Sequence, residues 1–239
     1  MPAPALRDLR DLLTHRFPDA IPVPHRSIAA VATGIEALDT ILPNGGFPKG
    51  RLSVWRPAGG ATSVLRATCL TTVRAGDRVA WIDGCGTLAG PFWSLGPMLV
   101  RPKSRTHALR AAESLLRSGG LSLVVLMGIE PEGTENVRLS RAAHEGGCAA
   151  TVVLTNSTTA AALKVSSHIQ PHSYRWSRDP HGEPAAAVSA TLEIRVSSLG
   201  WHRRTQVVVP VVPYDVSVAL ASTLPDRRGV LHRLAQVTA

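Results

Sequence analysis

The stretch that decides the fold is TGIEALDTILPNGGFPKG at residues 33–50, which leads into RLSVW at 51–55 and RPAGGATS at 56–63. RLSVW is strand-like, and a helical window at 63–74 follows the turn, whose two glycines permit a tight reversal. A glycine turn between a strand and a helix is typical of α/β proteins. The segment therefore predicts a strand–turn–helix unit near the start of an α/β domain.

Short apolar runs alternate with helical windows after this unit. LSLVVLM, at 121–127, has the length of a strand that is buried on both faces. Further strands are predicted at 78–83 and 150–156, and helices at 106–118 and 134–146. The last helix is expected to begin at Thr134 and to end at Gly146 and Gly147. This βαβαβ order predicts a parallel sheet with helices on both faces and right-handed crossovers.

The pattern changes from about residue 160. LKVSSHI, ATLEIRVSSL and TQVVVPVVP are strand-like runs with turn-rich links, which predicts antiparallel strands at the C-terminal end. WHRR at 201–204 is expected at a hairpin tip. Three units are therefore predicted: an amphipathic helix and Pro-rich arm at 1–30, a core at 31–215, and a basic C-terminal extension at 216–239.

Composition excludes several classes of protein. With 44% hydrophobic residues among 239, the chain has enough apolar content to fold, so disorder as a whole is excluded. Its three cysteines form no CxxC, and no histidines have the spacing of HExxH, so neither a disulfide scaffold nor a metal site is expected. No uncharged apolar run approaches the roughly 18 residues of a spanning helix. Charged residues interrupt the N-terminal segment, whereas a signal peptide needs an uninterrupted apolar core there. The expected location is the cytoplasm, without a membrane partner.

The charge balance favours an acidic partner. The formal net charge is +9, and only three of the 26 basic residues are lysines. Such a balance suits nucleic acid or an acidic protein face. A codon bias toward arginine explains the same composition without any such partner.

The segment at 33–50 resembles the RecA family, in which a TG…LD…GG-P-x-G element leads into the first core strand and the phosphate loop. RVAWIDG, at 78–84, falls where RecA has the strand that carries its catalytic glutamate, and LSLVVLM falls at the Walker B strand. The resemblance covers about residues 31–156, with a weaker echo to about 212. It implies a RecA-like mixed, mainly parallel sheet flanked by helices, with antiparallel strands at the C-terminal end.

The phosphate loop itself is degenerate. A working loop reads G-x-x-x-x-G-K-[ST], because its amides and lysine hold phosphate and its hydroxyl holds Mg²⁺. The first glycine is Arg56 here, the second is Ala61 and the lysine is Thr62, whereas the final hydroxyl, Ser63, remains. Gly59 and Gly60 lie inside the loop, where they could still present amides to a small anion.

The aligned catalytic positions are also lost. Cys85 stands at the position of the RecA glutamate and Met127 at the Walker B acid. The sequence therefore predicts a protein without enzymatic activity and without a nucleotide cofactor. Lys49 and Lys103 are the lysines that could substitute from elsewhere.

Three side chains near the lost site have predicted structural roles. Asp83 is expected to fix local backbone, and Cys85 to be an inert thiol. A salt bridge from Arg56 to Asp83 is one way in which the vacated site could close.

A RecA-like fold without this chemistry resembles the ImuA family, short accessory proteins of damage-induced mutagenesis. Only GIEPEG (128–133) and STTAA (157–161) stand where RecA has two long DNA-contacting loops. The resemblance implies a non-catalytic role in translesion synthesis, with RecA, an ImuB-type Y-family polymerase homologue and an error-prone C-family polymerase as partners. The alternatives are a degenerate RecA-type ATPase or DNA-binding paralogue, and an inhibitor of cell division similar to SulA.

Two terminal segments are candidate sites at which partner proteins could dock. Two other segments are candidate contacts with nucleic acid. The docking candidates are apolar or basic residues of the arm and the extension: Leu6, Leu9, Leu13, Phe17, Arg227, Arg228, Leu231 and Arg233. The candidates for a DNA contact interleave aromatic rings with arginines: Tyr174, Arg175, Trp176, Arg178, Arg203 and Arg204. A solvated basic surface and core-capping aromatics are the structural alternatives.

Overall fold

The structure of the protein is a computed structural model. It describes residues 29–56, 59–88, 96–147, 150–155, 161–170, 172–198 and 201–211. The docking candidates in the arm and the C-terminal extension lie outside these residues. The helices are α1 (Glu36–Asp39), α2 (Ala61–Arg74), α3 (Arg105–Arg117) and α4 (Gly133–Gly146), with a 3₁₀ turn at Pro43–Gly45.

The strands form two sheets. A small antiparallel pair joins β1 (Ala30–Val31) to β2 (Phe47–Pro48). All others belong to a nine-stranded sheet: β3 (Leu52–Arg56), β4 (Val79–Asp83), β5 (Met98–Val100), β6 (Leu123–Met127), β7 (Ala150–Leu154), β8 (Leu163–Ile169), β9 (Arg175–Arg178), β10 (Pro184–Ser198) and β11 (Trp201–Pro210).

The large sheet is parallel through most of its width. Its order is β11-β10-β8-β3-β7-β6-β4-β5, and every neighbouring pair from β8 to β5 is parallel. β10 is antiparallel to β8, β9 and β11. The predicted mixed, mainly parallel sheet with an antiparallel C-terminal end is therefore confirmed.

Apolar side chains pack on both faces of the parallel part. One core contains Trp55 and Trp81 of the sheet with Val64 and Leu65 of α2, and it continues under β10 and β11. The other joins β4, β6 and β7 to α3 and α4, and its residue closest to the antiparallel end is Leu52 of β3. The continuous apolar runs of the parallel strands follow from this double coverage.

The helix boundaries follow from capping groups. At the start of α3, the Ser104 hydroxyl accepts a hydrogen bond from the His107 amide. The N-cap of α4 is Glu132 rather than Thr134, because Glu132 and Glu135 form a reciprocal capping box. The prediction of Thr134 was therefore wrong by two residues. Gly147 ends α4 in the left-handed conformation, as predicted.

At the antiparallel end of the sheet, α1 packs against β11 on one face. β8 and β9 pair successively with the same side of β10, so together they form one interrupted strand. The turn between β9 and β10 is held by Asp179, whose carboxylate accepts hydrogen bonds from the amides of His181 and Glu183. WHRR, expected at a hairpin tip, forms the first four residues of β11, directly after the connection from β10.

None of the helices in the described ranges is both long enough and apolar enough to cross a membrane.

Candidate functional site

The degenerate loop lies between β3 and α2, at the carboxyl edge of the parallel strands. Gly59 has φ +100° and Gly60, the N-cap of α2, has φ +72°. Residues with side chains rarely adopt this left-handed conformation, so the turn requires both glycines. The backbone reversal thus survives, although Arg56 and Ala61 replace the two motif glycines.

The turn packs directly on the antiparallel end of the sheet. A Cβ on Gly59 would lie 3.2 Å from Cγ1 of Ile169, and a Cβ on Gly60 would overlap the Leu192 side chain. Leu192 belongs to β10 and is fully buried in the hydrophobic core. Close packing against Ile169 and Leu192 is therefore a structural reason for glycine at positions 59 and 60.

Two consecutive hydrogen bonds link the turn to β3 and β8. The indole Nε1 of Trp55 donates to the Ser167 hydroxyl at 3.0 Å, and that hydroxyl donates to the Gly59 carbonyl at 2.6 Å. The chain joins β3, β8 and the turn. Sequence analysis missed it because Trp55 and Ser167 are 112 residues apart and neither stands in a local motif.

The turn carries no ammonium group. Thr62 occupies the lysine position in the first turn of α2, beside the retained hydroxyl residue Ser63, and both are half-buried. Without the lysine, a triphosphate would lose a charge-assisted contact worth about 1.5–3 kcal/mol.

The lysines considered as substitutes lie elsewhere. Lys49 precedes β3 and pairs with Ala150, the first residue of β7, at the opposite edge of the sheet. Lys103 follows β5, which lies four strand spacings from β3, or roughly 19 Å. The hypothesis that one of them replaces the missing charge is therefore wrong for this arrangement.

The Asp83 carboxylate stabilises the backbone of the loop that follows β4. It is fully buried at the end of β4, and its two carboxylate oxygens accept the amides of Gly86 and Leu88, both at 2.9 Å. The predicted structural role is confirmed. The suggested salt bridge to Arg56 is wrong, because β7 and β6 lie between β3 and β4 and Arg56 is exposed.

Cys85 lies two residues after Asp83 and is exposed. Partial burial, and then the neighbouring negative charge of Asp83, raise the pKa of its thiol. The group is therefore a neutral thiol near pH 7 and a poor nucleophile. A neutral thiol also cannot act as the general base that a carboxylate would provide at this position.

Met127 ends β6 beside this loop. Its carbonyl accepts the Gly84 amide at 2.9 Å, and its half-buried side chain packs against the α2-side core. A thioether can neither hold Mg²⁺ nor polarise water as an aspartate would. Cys85 and Met127 thus lie at neighbouring strand ends, and both lack the oxygen ligands of an ATPase centre.

The short segment after β6 is clamped to α3. The Arg105 guanidinium donates to the Glu130 carbonyl at 3.1 Å and to both carboxylate oxygens of Glu135. The Glu132 carboxylate lies 3.4 Å from the same guanidinium. The short connection that stands in place of a long loop is therefore held by one arginine.

The candidate residues for a nucleic-acid contact lie at two different strands, β9 and β11. Tyr174 precedes β9, and Arg175, Trp176 and Arg178 belong to it. Arg203 and Arg204, adjacent on β11, point to opposite faces of the sheet, and the Arg203 guanidinium lies 5.7 Å from the Trp201 ring centroid. Within the described ranges, no group of His, Cys, Asp or Glu side chains is arranged to hold a metal ion.

Comparison with known proteins finds similarity to RecA in part of the chain. Protein RecA of Corynebacterium pseudotuberculosis (strain C231) is 34% identical over 107 residues, which cover 41% of this chain and 29% of the relative. Protein RecA of Bacillus subtilis (strain 168) is 35% identical over 108 residues, with coverages of 41% and 31%. The alignments thus span about a third of each relative's length. No family model matches the chain.

The fold comparison agrees with the sequence comparison. A crystal structure of the RadB recombinase superposes with a TM-score of 0.50 at 17% identity, covering 69% of this chain and 88% of that one. At this identity the match shows the fold alone. The shared sheet shows a RecA-like fold, and the sequence similarity to RecA covers part of the chain.

Proposed function

We propose that the chain is a non-catalytic RecA-like accessory factor in DNA-damage-induced mutagenesis, acting in the cytoplasm through protein contacts. Its partners in this proposal are RecA and an ImuB-type Y-family polymerase homologue, together with an error-prone C-family polymerase. The RecA-like fold supports a role connected with recombination or DNA damage. The resemblance to the ImuA family supplies the narrower assignment.

The observation that carries the proposal is the packed, uncharged turn at Gly59 and Gly60. Its glycines fit against Ile169 and Leu192, and Thr62 replaces the lysine. Sequence drift that removed only one catalytic group could leave a weak ATPase. Loss of the lysine and of both acids, at Cys85 and Met127, supports a domain retained for its shape.

The segment after β6 supports the same conclusion. Arg105 holds Glu130, Glu132 and Glu135 in a compact corner, and these carboxylates would repel a phosphate backbone at the carboxyl edge. A RecA-like core that does not use this edge for DNA keeps its other surfaces available for binding proteins.

The test is binding of the full chain to purified RecA by biolayer interferometry, with and without ATP and single-stranded DNA, at two salt concentrations. We expect a Kd in the micromolar range or tighter, and binding that survives moderate salt. A parallel assay of phosphate release measures ATP hydrolysis by the chain alone. Absence of RecA binding would reject the partner, and hydrolysis above background would reject the non-catalytic assignment in favour of a degenerate ATPase.

A further inference from the structure

β11 forms one edge of the nine-stranded sheet. Its ten residues, Trp201–Pro210, pair with β10 in a continuous register that contains no bulge. Within the described residues, no strand pairs with the other side of β11, which we call the outer edge. An unpaired edge presents a row of backbone N–H and C=O groups that can pair with a further strand.

The hydrogen bonds to β10 show which backbone groups of β11 lie at the outer edge. The Val211 amide donates to the Val188 carbonyl at 2.8 Å, and in an antiparallel pair such bonds recur at every second residue. The even-numbered residues of β11 therefore direct their backbone groups outward. These residues are His202, Arg204, Gln206, Val208 and Pro210. Because Pro210 has no N–H and faces outward, it removes no hydrogen bond from the ladder with β10.

The two halves of the outer edge differ in charge. His202, Arg203 and Arg204 make the first half basic, and charged residues on an edge strand discourage pairing with other chains. The stretch at 205–209 reads TQVVV and is uncharged. Val208, in this second half, is 63% exposed. A strand that pairs with the whole edge must therefore place uncharged or acidic residues against the arginines.

A second copy of β11 meets this requirement. When two copies run antiparallel about a two-fold axis at Gln206, Arg204 lies opposite Val208 of the second copy, and Arg203 lies opposite Val209. The basic half of each strand then faces the uncharged half of the other, and residues 202–210 of both strands are paired. The aliphatic part of each arginine side chain can cover the facing valine while the guanidinium stays in water.

Other positions of the axis are less favourable. An axis at Arg204 places two arginines directly opposite each other, where they repel. An axis at Thr205 makes the two copies of Arg204 diagonal neighbours, roughly 7–8 Å apart. Axes at Val207 and Val208 shorten the paired segment to 204–210 and 206–210. The axis at Gln206 therefore combines a long paired segment with well-separated arginines.

We propose that β11 is a dimerisation strand, which pairs with β11 of a second copy about a two-fold axis at Gln206 and joins the two sheets edge to edge. About eight backbone hydrogen bonds form, and Thr205 lies opposite Val207 of the second copy on the face that carries the hydrophobic core. One pair of strands buries less than the roughly 1,600 Å² of a standard interface, so we expect a Kd in the micromolar range. The dimer involves neither the degenerate loop nor the terminal segments, so the proposal is independent of the proposed function.

Sedimentation velocity of the full chain between about 1 and 100 µM measures the Kd of the dimer. Val208→Arg places a cation opposite Arg204 of the second copy at two symmetric positions, so the dimer should weaken about tenfold. Val208→Glu creates two pairs of opposite charge and should tighten the dimer severalfold. Val188→Arg and Val188→Glu are the matched controls, because Val188 is 52% exposed and belongs to β10. Both controls should leave the Kd unchanged.

Cysteine cross-linking tests the register of the two strands. In a chain whose Cys85 and Cys148 are replaced by serine, Gln206→Cys should give a disulfide-linked dimer on mild oxidation, since the two facing Cα atoms lie about 5.5 Å apart. Arg204→Cys alone should stay uncrosslinked, because its two copies lie about 14 Å apart along the strands. A mixture of Arg204→Cys and Val208→Cys chains should cross-link.

Four results would overturn the proposal. The first is a monomer over the whole concentration range, and the second is an equal change of the Kd in the Val188 and Val208 variants, which would mean nonspecific charge repulsion. The third is cross-linking through Thr205→Cys without cross-linking through Gln206→Cys, which would mean another register. The fourth is a dimer that forms only after deletion of residues 216–239, since the chain's own C-terminal segment would then cover the outer edge.

Discussion

At the scale of single residues, the turn between β3 and α2 is fixed by packing and by two hydrogen bonds. Gly60 fits against Leu192, and Ser167 links Trp55 to the Gly59 carbonyl. The missing lysine and acids are visible in the sequence alone. The packing that requires glycine at position 60 is not visible there, because Leu192 lies far from Gly60 in the sequence.

Gly60→Ala tests this packing. The variant must place a Cβ at φ +72° and against Leu192, so we expect a loss of about 2–4 kcal/mol in the free energy of unfolding, measured by urea denaturation. Gly76→Ala is the matched control, since Gly76 has φ +87° and its Cβ would meet no heavy atom within 4 Å. If both variants lower the free energy of unfolding by the same amount, the contact with Leu192 contributes nothing to stability. Gly60→Ala combined with Leu192→Ala should lose less than the sum of the two single changes.

Thr62→Lys tests whether one residue separates this chain from an ATPase. The substitution restores the missing ammonium group, which could increase ATP affinity by about 1.5–3 kcal/mol. We expect phosphate release to stay at background, because Cys85 and Met127 supply no carboxylate for water activation or Mg²⁺ binding. Calorimetry measures binding and a phosphate assay measures turnover. Hydrolysis by this single variant would contradict the account of the site.

At the scale of elements, local sequence signals predicted the helices and strands well. The helices expected at 106–118 and 134–146 form at Arg105–Arg117 and Gly133–Gly146. The N-cap of α4 was missed because Thr134 is the residue type that usually caps, whereas tertiary contacts with Arg105 favour Glu132 and Glu135. The order of the strands, which rules out the Arg56–Asp83 bridge, has no local signal at all.

The capping box of α4 predicts a pH-dependent stability. The Glu132 amide, which donates to Glu135, and then the Arg105 guanidinium hold the pKa of the Glu135 carboxyl below its ordinary value of 4.5. A carboxyl whose pKa is lower in the folded chain contributes stability that is present above the unfolded pKa and is lost as pH falls through the folded value. Glu135→Gln should therefore destabilise the protein by about 1 kcal/mol at pH 7 and by progressively less below pH 4.5.

Urea denaturation at pH 7 and near pH 3 measures this difference. Glu130→Gln is the control on the same segment, because Glu130 gives Arg105 its carbonyl rather than its carboxylate. A Glu135→Gln deficit that is equally large at both pH values would mean that the carboxylate charge contributes nothing.

At the scale of the whole molecule, the chain has a RecA-like sheet whose two ends present different surfaces. At the carboxyl edge of the parallel strands, the turn at Gly60 packs on Leu192, and Arg105 forms ion pairs with Glu132 and Glu135. At the antiparallel end, Lys164, Arg195 and Arg204 are exposed on one face of the sheet. If the proposed function holds, partners bind at surfaces outside the degenerate loop, and the terminal segments are the first to test.

Deletion of the arm tests the docking role of Leu6, Leu9, Leu13 and Phe17. The deletion should remove residues 1–28, because Ala30 and Val31 form β1 and the Ala29 carbonyl accepts the Lys49 amide. An amphipathic helix that docks through its apolar stripe contributes several buried leucines, so we expect RecA binding to weaken at least tenfold. Interferometry measures affinity, and thermal unfolding verifies that the core keeps its melting temperature.

Deletion of residues 216–239 provides the matching experiment for the extension, where Arg227, Arg228, Leu231 and Arg233 are the candidates. Because the two deletions remove segments of similar length from opposite ends of the chain, they distinguish a specific docking element from a general loss of chain. Unchanged affinity in the 1–28 deletion would exclude the arm. If the extension deletion alone weakens RecA binding, the basic C-terminal segment is the docking element; if neither does, RecA binds the described core.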